Sequence, residues 1–242
     1  MARMNFGQTY ASSWNAYIRA WRKDGRKQPP GKGVWPGDQW GTPASWQATL
    51  RELVLDRLPE ASRIVEIGPG SGKYTKLMLD AYPGAEVWAS DVSADYLEIL
   101  RERLAAEVEA GRVLTHLIGK DHDQQRRALE SHGWLGAVDC VCSFDALCHV
   151  DLGYLAGYLR LASQVLRPGG ILSTMVADAT SDAGHAKLMT DIRRIWPYGG
   201  KMCQCFQWVS PDIMTGLLGR LGFVVELLRS EGAYLYVVAR RA

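Results

Sequence analysis

Ile64-Val65-Glu66-Ile67-Gly68-Pro69-Gly70-Ser71-Gly72-Lys73-Tyr74-Thr75 is a short β-type run that breaks into three alternating glycines and then opens into a helical pattern. Strand, tight turn and helix in that order begin a βα unit on a parallel sheet. The glycines let the backbone come close to a ligand at the helix N-terminus, where unpaired N–H groups gather. The spacing is G-x-G-x-G, whereas a dinucleotide-binding turn reads G-x-G-x-x-G. Pro69 removes one amide donor, and Glu66, two residues before the first glycine, repels a pyrophosphate while favouring an ammonium. The turn therefore suits a small zwitterionic ligand.

Working outward, β-type runs alternate with helical faces to the end of the sequence. Strands are expected at 64–67, 86–90, 112–118, 138–144, 171–177, 223–228 and 233–239. Tyr74, Leu77, Met78 and Ala81 form one intervening helical face, and Leu152, Leu155, Leu159, Ala162 and Leu166 another. Only residues 229–232 separate the last two strands, far fewer than a parallel crossover requires, so that pair must run antiparallel. The fold class is α/β: a doubly wound, mostly parallel seven-stranded sheet, Rossmann-like, ending in an antiparallel hairpin. Asp91 ends the second strand, where its two acceptor oxygens suit a ribose diol. The alternative is an Asp that caps the helix beginning near Ser93.

Two helical patterns precede the sheet, one marked by Trp14, Tyr17, Ile18 and Trp21, the next by Trp46, Leu50, Leu53 and Val54. They organise residues 1–60 as N-terminal helices with a lid loop, WPGDQWG at 35–41, ahead of a main domain at 61–242. About thirty residues, roughly 178–210, follow the fifth strand where a few would suffice, and are read as an insert over the ligand edge. The 242 residues are 47% hydrophobic and 22% charged with a formal net charge of +2, which excludes a disordered chain and carries no electrostatic footprint for nucleic acid. No apolar run reaches the ~18 residues of a membrane span, and the first residues lack a signal-peptide core. A cytoplasmic address is expected. The five cysteines include no C-x-x-C pair, which suits reduced thiols, with Cys203 and Cys205 a weak soft-metal alternative.

Across residues 62–240 the sequence resembles the class I S-adenosylmethionine-dependent methyltransferases. VEIGPGSG resembles their first motif, Asp91 their ribose acid and LRPGGILS their approach to the fifth strand; the expected hairpin agrees with their seven-stranded sheet. The resemblance implies S-adenosylmethionine as cofactor, with Gly68 and Gly70 at its methionine part and Glu66 near its amino end. It further implies Asp91 on the ribose hydroxyls, Val92 beside the adenine, Asp121 or His122 at the adenine edge, and Phe144 with Asp145 around the donor methyl.

Ser143-Phe144-Asp145-Ala146 departs from the Asn/Asp-Pro-Pro motifs of nucleic-acid amino methylation, and DALCHVDLGYL lacks the two glutamates of the protein-arginine class. FDALCHV resembles the small-molecule branch, which implies methyl transfer to oxygen or nitrogen of a sugar, quinone or natural product. His149 is the candidate general base, because a neutral imidazole accepts a proton near neutral pH. Asp145 accompanies it. No metal is assigned; the alternative is a hard cation shared by Asp145 and Asp178, for which only two oxygens are secured. A cofactor-binding protein without transfer, and a nicotinamide oxidoreductase, are the competing classes. The oligomeric state, a homodimer included, is left open.

Overall fold

The computed structural model describes residues 6–23, 35–119, 122–195 and 205–242. Packing divides the chain into two compact units, Met1–Gln125 and Arg126–Ala242.

The first unit opens with helix α1 (Phe6–Lys23) and helix α2 (Pro43–Leu50), which runs on into a π-helical turn at Arg51–Leu55. Thr42 starts α2 with a reciprocal capping box to Ser45, and Pro43 occupies the first turn. Three parallel strands follow, β1 (Arg63–Ile67), β2 (Glu86–Asp91) and β3 (Val113–Leu117), with β2 in the middle. Val65 pairs with Trp88 and Trp88 with Leu114. Ile64, Val65, Val87 and Ala89 are buried although successive residues face opposite sides, so both faces of this part of the sheet are covered. The covers include α3 (Lys73–Ala81), α4 (Ala94–Arg103) and the short α5 (Ala105–Glu109). Ile18 and Trp21 of α1 pack with Tyr96 and Ile99 of α4, so the apolar stripe read on the first helix is spent on α4.

Helix α6 (His122–Ser131) leads into the second unit, which holds β4 (Val138–Ser143), a 3-10 turn at Leu147–His149, α7 (Leu152–Val165) and β5 (Leu166–Asp178). After α8 (Asp182–Ile195) come β6 (Trp208–Val209), α9 (Pro211–Arg220), β7 (Phe223–Glu231) and β8 (Tyr234–Arg241). Strand β5 pairs parallel with β4 and, at its carboxyl end, with the two-residue β6; β8 joins it antiparallel and β7 joins β8 antiparallel. The hairpin expected from the short 229–232 gap is present, turning at Gly232 with φ +59°. Strand β5 begins earlier than expected, taking Pro168-Gly169-Gly170 into the strand, and the register with β4 shifts between Val138 and Cys140 to absorb it. A Cβ at Gly170 would lie 3.0 Å from the carbonyls of Arg167 and Val138, so the close backbone approach requires glycine there. No helix among the described residues is long and apolar enough to cross a membrane.

Candidate functional site

In the first unit the functional groups gather at the carboxyl ends of β1 and β2. Gly68, Gly70 and Gly72 stand at φ +70°, +56° and +82°, so every second residue of the turn is left-handed, a conformation that costs a Cβ-bearing residue about 1–2 kcal/mol. The Gly68 amide donates to the Ser90 carbonyl at 2.8 Å, tying the turn to the end of β2. The Gly70 amide donates to Asp91 Oδ2 at 3.3 Å, and the Ser93 amide donates to Asp91 Oδ1 at 2.8 Å. Ser93 itself caps α4, accepting from the Tyr96 amide. Asp91 thus does not occupy the cap position; it braces the glycine turn against the start of α4.

Glu66 points into the same region and is only 2% exposed, with the Thr75 hydroxyl donating to its Oε2. Burial pushes its carboxyl up to about 7, with the nearby Asp91 adding to the rise and the Thr75 bond and Lys73 working against it. Burial likewise pushes Asp91 up to about 6, opposed by the amides of Ser93, Gly70 and Val92. Two neighbouring acids that resist ionisation set up a demand for a cation and for hydroxyl donors. Gln125 donates from Nε2 to the Ser90 hydroxyl at 2.8 Å, while its buried Oε1 has no hydrogen-bond partner among the described residues.

The segment 35–41 is fastened to this turn. Lys73 Nζ donates to the carbonyls of Gly37 and Trp40 at 3.3 and 3.2 Å and lies 5.1 Å from the centroid of the Trp46 ring. Arg103 reaches Asp38 Oδ1 at 2.9 Å and the Ser71 hydroxyl at 3.1 Å. Trp40 stacks on Tyr17 of α1, which accepts a hydrogen bond from Gln39.

In the second unit the groups cluster beyond the tip of β4. Asp145 has φ +60°, and among the described residues it alone of the non-glycines lies in the left-handed region. Its Oδ1 accepts from the Tyr234 hydroxyl at 3.1 Å. Burial, then the charge of Asp145, push the Tyr234 phenol far up, so it remains a donor. His149 ends the 3-10 turn and sets Nδ1 3.2 Å from the Cys205 carbonyl, which only accepts; the proton therefore sits on Nδ1 and Nε2 is the accepting nitrogen. Burial lowers the His149 pKa, against the opposing pull of Asp145 and the Cys205 carbonyl, so the ring is neutral at neutral pH. Phe206 meets the His149 ring edge-on at 5.4 Å and the Tyr234 ring at 5.1 Å. Lys187 of α8 lies 4.5 Å from the Phe206 centroid and pairs with the buried Asp191 at 2.9 Å.

Asp178 does not join this group. Its Oδ1 accepts from the amide and hydroxyl of Thr180 and its Oδ2 from the Ser230 hydroxyl. Burial raises its pKa, but those bonds outweigh burial and hold the carboxyl below its usual range. Oδ2 thereby joins the end of β5 to the hairpin, and Asp178 is not among the side chains clustered with Asp145.

Of the residues expected from the sequence, Glu66, Gly68, Gly70 and Asp91 come together at one turn, with Val92 half-buried just beyond β2. Asp145 and His149 come together in the second unit, with Phe144 buried between β4 and Asp145. His122 opens α6, but its side chain, like Asp121 and Cys203, lies outside the described residues. Sequence reading missed Thr75, Gln125, Lys187, Phe206 and Tyr234. The 178–210 insert was a signal for Lys187 and Phe206; nothing local marks Tyr234.

A family model described as a methyltransferase domain matches residues 42–228. Trans-aconitate 2-methyltransferase from Variovorax paradoxus is 30% identical over 182 residues, covering 73% of this chain and 59% of its own length, so the chain spans well under two thirds of that relative. Magnesium protoporphyrin IX methyltransferase from Synechocystis, solved with S-adenosylhomocysteine, has a TM-score of 0.65 at 16% identity, covering 96% of this chain and 98% of its own. Geranyl diphosphate C-methyltransferase from Streptomyces coelicolor has a TM-score of 0.64 at 15% identity over the whole of both chains. These two likenesses show the fold: a mostly parallel sheet flanked by helices and ending in an antiparallel hairpin.

Proposed function

We propose, from the premise that this chain belongs to the methyltransferase domain family, the S-adenosylmethionine-dependent methyltransferases of the class I fold, that it methylates an oxygen or nitrogen of a small metabolite. The observation that carries the reading is the brace between Gly70 and Asp91, which gathers a left-handed glycine turn, a strand-tip acid and the buried Glu66 at one place.

The residues present fit that cofactor. Glu66 answers an ammonium, Asp91 a diol, and Gln125 Oε1, unpartnered among the described residues, an amino group. Val92, Asp121 and His122 are assigned to the adenine, and Phe144 to the apolar wall of the donor methyl. When bound, S-adenosylmethionine supplies an electrophilic methyl on sulfur. On the acceptor side, His149 Nε2 takes the proton of the acceptor hydroxyl or ammonium, freeing the lone pair that forms the new bond to carbon. Asp145, fixed by Tyr234, stabilises the imidazolium that results. Phe206 and Trp208 offer a planar acceptor aromatic surface beside His149.

Calorimetry with S-adenosylhomocysteine and with NAD, followed by a metabolite panel incubated with methyl-labelled cofactor, tests the proposal. The panel includes sugars, quinols, phenols, amines and, given the Variovorax relative, tricarboxylates. Binding of S-adenosylhomocysteine without NAD and label transfer to one class supports it; NAD binding alone overturns it. Binding with no transfer to any acceptor assigns the chain to cofactor binding alone.

A further inference from the structure

The 3-10 turn after β4 puts three unlike donors together: one ligand atom each from Asp145, Cys148 and His149, all within 4.8 Å of one another. We infer that these three side chains form a site for a single borderline or soft divalent cation of the zinc class, and that its occupancy takes His149 out of proton transfer. The cation site stands on its own geometry; only the loss of proton transfer rests on the role proposed for His149.

The donor set selects the ion. A thiolate and an imidazole beside one carboxylate match zinc-type sites of three protein ligands and one open position, and they suit magnesium or calcium, which take oxygen, poorly. Hydrogen bonds of the kind that steady metal ligands are in place: the Nδ1–H of His149 is held by the Cys205 carbonyl, which leaves Nε2 as the basic nitrogen, and Oδ1 of Asp145 is held by the Tyr234 hydroxyl. Cys148 is fully buried beside Ala177 and Phe206, where a thiol has no ordinary polar role. Tetrahedral bonds of about 2.0–2.3 Å put ligand atoms roughly 3.3–3.8 Å apart, so no pair need close by more than about 1.5 Å on binding. Lys187, the nearby cation, is paired with Asp191 and does not oppose a second positive charge unaided. On binding, the Cys148 S–H bond breaks, the metal–sulfur bond forms and the proton leaves to solvent.

The full chain, stripped of metal with a chelator, is titrated with zinc in competition with a chromophoric chelator, and separately with cobalt, whose thiolate complexes absorb strongly in the near ultraviolet. One equivalent of zinc, and a thiolate–cobalt band that Cys148→Ser abolishes and Cys140→Ser retains, are expected. Tyr234→Phe, which frees Asp145, is expected to weaken zinc about tenfold or more while keeping the band. Zinc is also expected to suppress methyl transfer by the parent in step with its binding. Absence of a stoichiometric site overturns the proposal, as does a band that survives Cys148→Ser and disappears in Cys203→Ser or Cys205→Ser. S-adenosylhomocysteine binding is measured on every variant as the check of folding. Failure of the parent to bind it overturns the methyltransferase reading and leaves the cation result standing.

Discussion

Tyr234 donates its phenolic hydrogen to Asp145, fixing a carboxylate whose own backbone is left-handed at φ +60°. The bond thus restrains a residue that carries conformational strain, and the hairpin strand β8 acts as its support. Removing the hydroxyl with Tyr234→Phe is expected to destabilise the fold by about 1–2 kcal/mol, toward the lower end for hydrogen bonds to charged groups. Urea denaturation measures it; an unchanged midpoint would show that Asp145 needs no support.

Asp91 braces the glycine turn and is assigned to the ribose. Asp91→Ala is expected to weaken S-adenosylhomocysteine by about 1–3 kcal/mol while leaving α4 capped by Ser93, so that folding persists. Isotherms equal to those of the parent would confine Asp91 to its contacts with Gly70 and Ser93.

Glu66 makes stability depend on pH in a defined sense. Its carboxyl is raised by burial from 4.5 to about 7, so between those values the folded state holds a proton that the unfolded state has released. Stability from this group is therefore greatest at low pH and falls as pH rises through about 7, by up to about 3 kcal/mol. Asp91, raised to about 6, acts in the same direction. Thermal melts from pH 5 to 8 are expected to show a flatter decline in Glu66→Gln than in the parent. Saturating S-adenosylhomocysteine, whose ammonium favours the carboxylate, is expected to flatten the parent as well.

His149→Ala separates proton transfer from packing. Loss of a positioned base is expected to lower kcat about 10²- to 10⁴-fold with S-adenosylhomocysteine affinity unchanged. A raised KM with kcat intact would assign His149 to its packing against Phe206.

Arg103 holds the buried Asp38, and removing one partner of a buried pair leaves the other charge stranded at a cost of about 3–5 kcal/mol. Opening of the 35–41 segment is the cheapest relief. In Arg103→Ala, hydrogen exchange at the amides of Asp38 and Trp40, which close turns onto Trp35 and Gly37, is expected to accelerate about a hundredfold. Unaltered exchange there would mean that Lys73 alone suffices.

The glycine turn and the terminal hairpin were legible because their signals are local: alternating glycines after an apolar run, and a gap too short for a crossover. Strand β6 was not, since two residues carry no periodicity. Pro168-Gly169-Gly170 read as the approach to β5, yet a register shift against β4 keeps it within the strand. The bonds that hold the segment 35–41 were not legible either, because Lys73 and Arg103 reach it from far along the chain. Asp178 looked like a ligand because a strand-tip carboxylate always does. Its bonds from Thr180 are local, but the one from Ser230 depends on the hairpin folding back beside β5. Tyr234 was invisible for a related reason: in a strand, tyrosine is unremarkable, and its partner lies on another strand's tip.

The separation of 89 positions between Asp145 and Tyr234 also sets a clock. At about 5–20 residues per second, the ribosome delivers Tyr234 roughly 4 to 18 seconds after Asp145. Throughout that interval the nascent polypeptide has its glycine turn and β4 but no phenol to steady the carboxylate. The first part of the chain is thus synthesised well before the cluster around Asp145 can be completed, and a translational pause ahead of β8 would prolong that half-equipped state without altering a single residue.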